Sequence, residues 1–211
     1  METTIDDVLG FWFGIPPTTE ARVMANERRW FRSGAEMDDE VRRRYGRAVD
    51  AGVRGELDSW AATARGRLAL VILLDQLTRN VFRGTTATYA GDPKAQSLSL
   101  EAFDAGLDRE LAFVERLFLS MPLLHSERPE LHARLASIAR AIAADAPPIY
   151  RRLCAMYDEQ VMYDEQVRKY ADVVRRFGRF PHRNAILGRA STPEEIEFLS
   201  DWEQRAAPGA S

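Results

Sequence analysis

Leu68-Ala69-Leu70-Val71-Ile72-Leu73-Leu74-Asp75-Gln76-Leu77-Thr78-Arg79-Asn80-Val81-Phe82-Arg83-Gly84 is the stretch that decides the fold. Its opening run, Leu68 to Leu74, is apolar without a break, so the helix expected from about Trp60 to Phe82 is apolar all round in its middle. Such a helix has no face to give to water and must be central to a core. The run is far short of the ~20 residues that cross a bilayer, so the core is a protein core. Polar residues follow at once. Asp75, Arg79 and Arg83 fall at i, i+4 and i+8, with Gln76 and Asn80 as an adjacent stripe. A charge placed directly after a buried run needs a partner. An intrahelical ion pair with a final Arg favoured by the helix dipole would be enough to supply one.

Outward from this helix, helical signals recur and strand signals do not. Thr4-Ile5-Asp6-Asp7 opens a short helix carrying Val8, Leu9, Phe11, Trp12 and Phe13, closed by Gly14 and Pro16-Pro17. A second helix carries Trp30 and Phe31. A third runs from about Asp38 into Gly52, with Val41, Tyr45 and Val49 on one face. Asp58 or Ser59 is placed to cap the central helix, and Asp92-Pro93 reads as N-cap and first position of another. Further helical segments lie around Leu111 to Leu119 and, capped by Ser126, through Leu131, Leu135, Ile138 and Ile142. Pro147-Pro148 breaks the chain, and a long helix then reaches Phe177. Thr192-Pro193-Glu194-Glu195 is a capping box opening a last helix. The expectation is an all-α protein: a single compact helical array of about 8–9 helices without a sheet, one domain over 1–205 and a flexible tail over 206–211.

Within the long helix stands a tandem hexapeptide, Met156-Tyr157-Asp158-Glu159-Gln160-Val161 and Met162-Tyr163-Asp164-Glu165-Gln166-Val167. Six residues at ~100° each turn the second copy by roughly 240°, so the copies share no face. The repeat reads as a small duplication that lengthens the helix or forces a bulge in it.

Composition narrows the function classes. The net charge of −3 offers no basic footprint for nucleic acid. Lysine occurs only at Lys94 and Lys169, so arginine supplies nearly all of the 29 basic residues, and only clustered arginines carry information. The lone Cys154 allows no internal disulfide, and the acidic N-terminal segment is unlike a signal peptide. A cytoplasmic setting is expected, with no membrane or nucleic-acid partner; the oligomeric state is open.

Two further polar segments stand out. Pro122-Leu123-Leu124-His125-Ser126-Glu127 puts a histidine in a turn beside a hydroxyl and a carboxylate. Such a His serves as general base, ligand donor or structural group. Arg175-Arg176-Phe177-Gly178-Arg179-Phe180-Pro181-His182-Arg183-Asn184-Ala185-Ile186-Leu187-Gly188-Arg189 places basic groups on a loop that Phe177, Phe180, Ile186 and Leu187 would pin to the core. Fixed arginines are what selective anion recognition requires. Pairing of these arginines with Asp75, Glu127 or helix carbonyls is the structural alternative.

These motifs, together with Val8-Leu9-Gly10-Phe11-Trp12-Phe13-Gly14, Trp30-Phe31 and Gly55-Glu56-Leu57, resemble the bacterial family known as domain of unknown function 924, nearly end to end. The resemblance implies a helical fold similar to tetratricopeptide-repeat proteins and carries no agreed activity. The chain itself shows no repeat of ~34 residues. Members usually have Phe-Pro where this chain has Leu77-Thr78, and commonly His where it has Tyr170.

The three segments are expected to converge on one polar pocket. Its residues would be Asp75, Gln76, Arg79, Asn80, Arg83, His125, Ser126, Glu127, Arg179, His182, Arg183 and Asn184. The expected ligand is a small anion or a carboxylate-bearing peptide end. The alternatives are an enzyme with His125 or His182 as general base, oriented by Glu127 or Asp75, and a structural ion network with protein contacts on an outer surface. No nucleophile elbow, phosphate-cradling loop, dinucleotide fingerprint or close metal-ligand spacing is present, so neither metal nor cofactor is expected.

Overall fold

The computed structural model describes residues 3–14, 26, 30, 34–147 and 159–206. Phe31, Pro148, Cys154 and the start of the first hexapeptide copy lie outside the described residues, as do 207–211. The described residues form a compact helical array with no strand. Helix α1 is Ile5–Phe13, and its start is fixed by a reciprocal cap in which Thr4 and Asp7 each bind the other's backbone N–H. It buries Val8, Leu9, Phe11, Trp12 and Phe13. Helix α2, Ala35–Arg54, buries Val41, Tyr45, Ala48, Val49 and Gly52 and stops at Gly55, whose φ of 88° suits glycine.

The central rod, α3, runs over 64–81 in three continuous stretches: Ala64–Val71, Ile72–Leu77 and Thr78–Val81. Leu68 through Leu74 are all 0% exposed, as the unbroken apolar run requires. Fully burying each large side chain contributes about 1.5–3 kcal/mol, so this rod is a major source of stability. It starts later than expected. Thr63, not Asp58 or Ser59, caps it by accepting from Gly66 N–H at 3.1 Å, and Asp58 instead binds Lys94. Its middle is also not α-helical, a point with consequences for the site.

Helices α4 (Asp92–Asp104), α5 (Phe113–Leu124), α6 (Pro129–Ala144), α7 (Glu159–Phe177) and α8 (Pro193–Ala206) complete the array. The expected capping box at Thr192 and Glu195 is formed, at 3.2 and 2.8 Å. Ser126 does not cap α6 directly. Its hydroxyl accepts from Arg128 N–H at 3.1 Å, one turn ahead of the helix. Three apolar clusters result: one built on α1 to α4 and the start of α5, one joining the end of α5 to α6 and α7, and one of Val173, Val174 and Phe180. Asp75 follows Leu74 of the first, His125 follows Leu124 of the second, and Arg183 lies just beyond Phe180 of the third. The polar residues therefore gather where the three meet.

Candidate functional site

The site begins in the backbone of α3. Over Ile72–Leu77 the helix widens to i→i+5 bonding: Thr78 N–H donates to Leu73 O, and the buried Thr78 hydroxyl donates to the same carbonyl at 2.7 Å. One extra residue per turn changes the direction in which the next side chains leave the rod, and such insertions recur at functional sites. Asp75 lies within this wide turn. Gly91 packs against it so closely that an added Cβ would lie 2.2 Å from Leu74 O. That contact is open only to glycine, and it sets the next residue, Asp92, beside Asp75.

Two buried carboxylates thus form the floor. Asp75 accepts from His125 Nδ1 at 2.8 Å and 3.0 Å to its two oxygens, from Gln76 at 2.5 Å and from Arg79 at 3.2 Å. Asp92 accepts from Arg79 at 3.0 Å and from Arg183 at 3.2 Å. Arg183 also donates to His125 O at 2.8 Å, which ties the loop after α7 to the end of α5. Its guanidinium lies 4.4 Å from the centre of the Tyr89 ring and 4.8 Å from that of Phe180; Arg79 lies 5.3 Å from Tyr89. Stacking on aromatic faces stabilises cations that have lost water. The Nε atoms of both arginines are buried and make no hydrogen bond to any described residue.

The electrostatics follow from this packing. Burial alone would raise the Asp75 carboxyl, but the charges of His125 and Arg79 outweigh it and hold the group well below the usual carboxylate range. Asp92 is shifted upward, because its burial and the neighbouring Asp75 outweigh its two arginines. Burial lowers Arg183, and the nearby Arg79 lowers it further. His182, against Phe180 at 5.4 Å, is lowered to about 4 by loss of water around its ring and by the charges of Arg183 and Arg79. Its outer surface remains exposed.

The other expected site residues fall into separate groups. Arg83 and Asn80 turn to the opposite side of α3, where both bind Asp38 of α2, at 2.5, 2.9 and 2.8 Å. Glu127 takes a two-pronged bond from Arg189 at 2.8 and 2.9 Å and accepts from Phe180 N–H at 2.7 Å, pinning the loop. Arg179 grips Glu195 at 2.7 and 2.8 Å, and Asn184 donates to Ser191 and to Glu195. Glu195, held by Arg179 before all else, is lowered to about 2. Ser126, 1% exposed, serves the turn. Of the expected set, Asp75, Gln76, Arg79, His125 and Arg183 touch one another, and His182 lies within their field.

Asp92, Tyr89, Tyr170 and His132 complete the surroundings and were not anticipated. Asp92 before Pro93 reads as a cap, yet Gly91 takes that place and frees the Asp92 carboxylate for the arginines. Tyr170 packs on Phe180 at 5.4 Å and lies in the field of Arg183 and Arg79; it is the position where family members commonly have His. His132 is buried, with Nε2 2.8 Å from Ser126 O. Only Tyr170 carried a prior signal.

An all-helical protein with a buried carboxylate, histidine and arginine cluster is the class so defined. The chain belongs to the bacterial family of proteins of unknown function designated DUF924, whose family model matches residues 8–202. It is similar to the solved structure of a protein of unknown function, ATU0120, from Agrobacterium tumefaciens: 33% identity, TM-score 0.75, covering 93% of this chain and 97% of that one. No curated protein matches. Among the described residues no helix is long and apolar enough to cross a membrane.

Proposed function

We propose that the Asp75–His125–Arg79–Arg183 cluster binds a small anionic molecule through a carboxylate or phosphate group. The observation that carries this is the layering of charge. The acids lie underneath, with Asp75 at 0% and Asp92 at 8% side-chain exposure, while Arg79 at 23% and His125 at 20% reach solvent. A ligand approaching from outside meets basic groups and is shielded from the carboxylates. The floor orients those groups in advance, so little ordering is needed on binding. A cytoplasmic setting, expected from the single cysteine, belongs to the same proposal.

The test is thermal unfolding in acetate, succinate or phosphate at fixed ionic strength, with chloride as reference. Stabilisation follows RT ln(1 + [L]/Kd), about 2.7 kcal/mol at a hundredfold excess over Kd. Wild type and Arg83→Met are expected to be stabilised by at least one of the three anions, and Arg79→Met not. No anion-specific stabilisation of wild type would overturn the reading.

A further inference from the structure

We propose that Asp75 and His125 form a proton-transfer dyad that removes a proton from the carbon next to the carbonyl of a small 2-oxo acid held at this site. The inference rests on the anion-binding reading and adds a reaction to it. Orientation is the first argument. A carboxylate can only accept, so the two contacts from His125 Nδ1 to Asp75 keep a proton on Nδ1, and in the neutral ring the lone pair is on Nε2. Among the described residues no hydrogen bond to Nε2 is present, and the side chain is 20% exposed, so the lone pair is available to a ligand. A buried acid that orients a partly open histidine is the arrangement a general base requires.

The second argument is what surrounds the base. Ser126, the adjacent hydroxyl, is buried and accepts from Arg128 N–H, so it is not placed as a nucleophile for His125. With Ser126 so engaged, the proton that Nε2 can take directly is one on the bound molecule. Arg79 shares the Asp75 carboxylate with His125 and therefore lies beside the ring, where it can stabilise a developing oxyanion. The second cation, Arg183, is anchored to His125 O and strengthens the same field.

The step is balanced without another reactant. The C–H bond breaks and its proton passes to Nε2. Its electron pair becomes the carbon–carbon double bond of an enolate, and the carbonyl π pair moves to oxygen, beside Arg79. The imidazolium then returns a proton to carbon. In heavy water the returned atom is deuterium.

The experiment incubates the full chain in heavy water with straight-chain 2-oxo acids from pyruvate to 2-oxohexanoate and follows loss of the C3 proton signal by NMR. Wild type is expected to exchange at least one of them about 100-fold faster than buffer, within the usual range for general-base catalysis. His125→Gln should return the rate to that of buffer while the variant keeps its cooperative unfolding. Exchange no faster than buffer for every acid, with phosphate stabilisation intact, would sink the dyad and leave the binding reading standing. Absence of stabilisation of wild type by acetate, succinate and phosphate alike would sink both. Should His125→Gln not fold, diethyl pyrocarbonate on the native protein decides. Nε2 of His125 is expected to be acylated and phosphate to protect it; an unmodified His125 overturns the proposal.

Discussion

Two polar clusters hang from the same helix, and they are built differently. On one side of α3, Asp38 takes both prongs of Arg83 and the amide of Asn80, and Arg83 is 52% exposed. On the other, Asp75 and Asp92 are shared among Arg79, Arg183, His125 and Gln76, contributed by four separate parts of the chain. The first has the form of a staple between two helices. The second joins three apolar clusters and keeps a histidine edge in contact with solvent. Arginines four residues apart thus serve to hold two helices on one face and line the proposed site on the other.

Substituting one arginine in each cluster tells the two apart. Arg183→Met leaves Asp92 buried with one partner fewer and frees the end of α5, which should cost roughly 3 kcal/mol. Arg83→Met removes a half-exposed pair and should cost only about 1 kcal/mol. Urea unfolding of both variants measures the difference, and equal losses would erase the distinction. Gly91→Ala is expected to fall between them, at roughly 2 kcal/mol, because its methyl group must push the wide turn of α3 away. It should also abolish anion stabilisation, which Arg83→Met leaves intact.

The smallest effect is pH-dependent. His182 is lowered from 6.5 to about 4, so between those values the unfolded chain binds more protons than the folded one. Stability from this group is complete above about pH 6.5 and declines as pH falls toward 4. His182→Gln should flatten that part of the pH–stability curve, and an unchanged curve would show that the folded chain does not lower His182.

The difference between the clusters also marks what the sequence discloses. The apolar run at Leu68 to Leu74, the Gly178 stop and the Thr192 cap are local patterns, and helices follow from them. The grouping of Asp75, Arg79, His125, His182 and Arg183 was readable as charges that lack a local reason. The separation of Arg83 and Asn80 was not. Asn80 leaves the helix about 100° round from Arg79, and Arg83 lies past the helix end at Val81, where the i+4 spacing no longer holds. Asp92 was hidden for another reason: its place beside Asp75 comes from a contact between Gly91 and Leu74, and such contacts leave no periodic mark. Arg179, Glu127 and Asn184 resemble ligand groups in sequence, because the acids and loop groups that engage them lie 53 or 62 residues away or in the next helix.

The most direct test of the account is a phosphate titration followed through the imidazole nitrogens by NMR. The chain has three histidines, and His132, buried with Nε2 2.8 Å from Ser126 O, is shielded from direct contact with the anion. The His125 and His182 signals are expected to move with one saturable binding curve, and those of His132 least of the three. Stationary His125 and His182 signals, or equal movement of all three, would contradict the account.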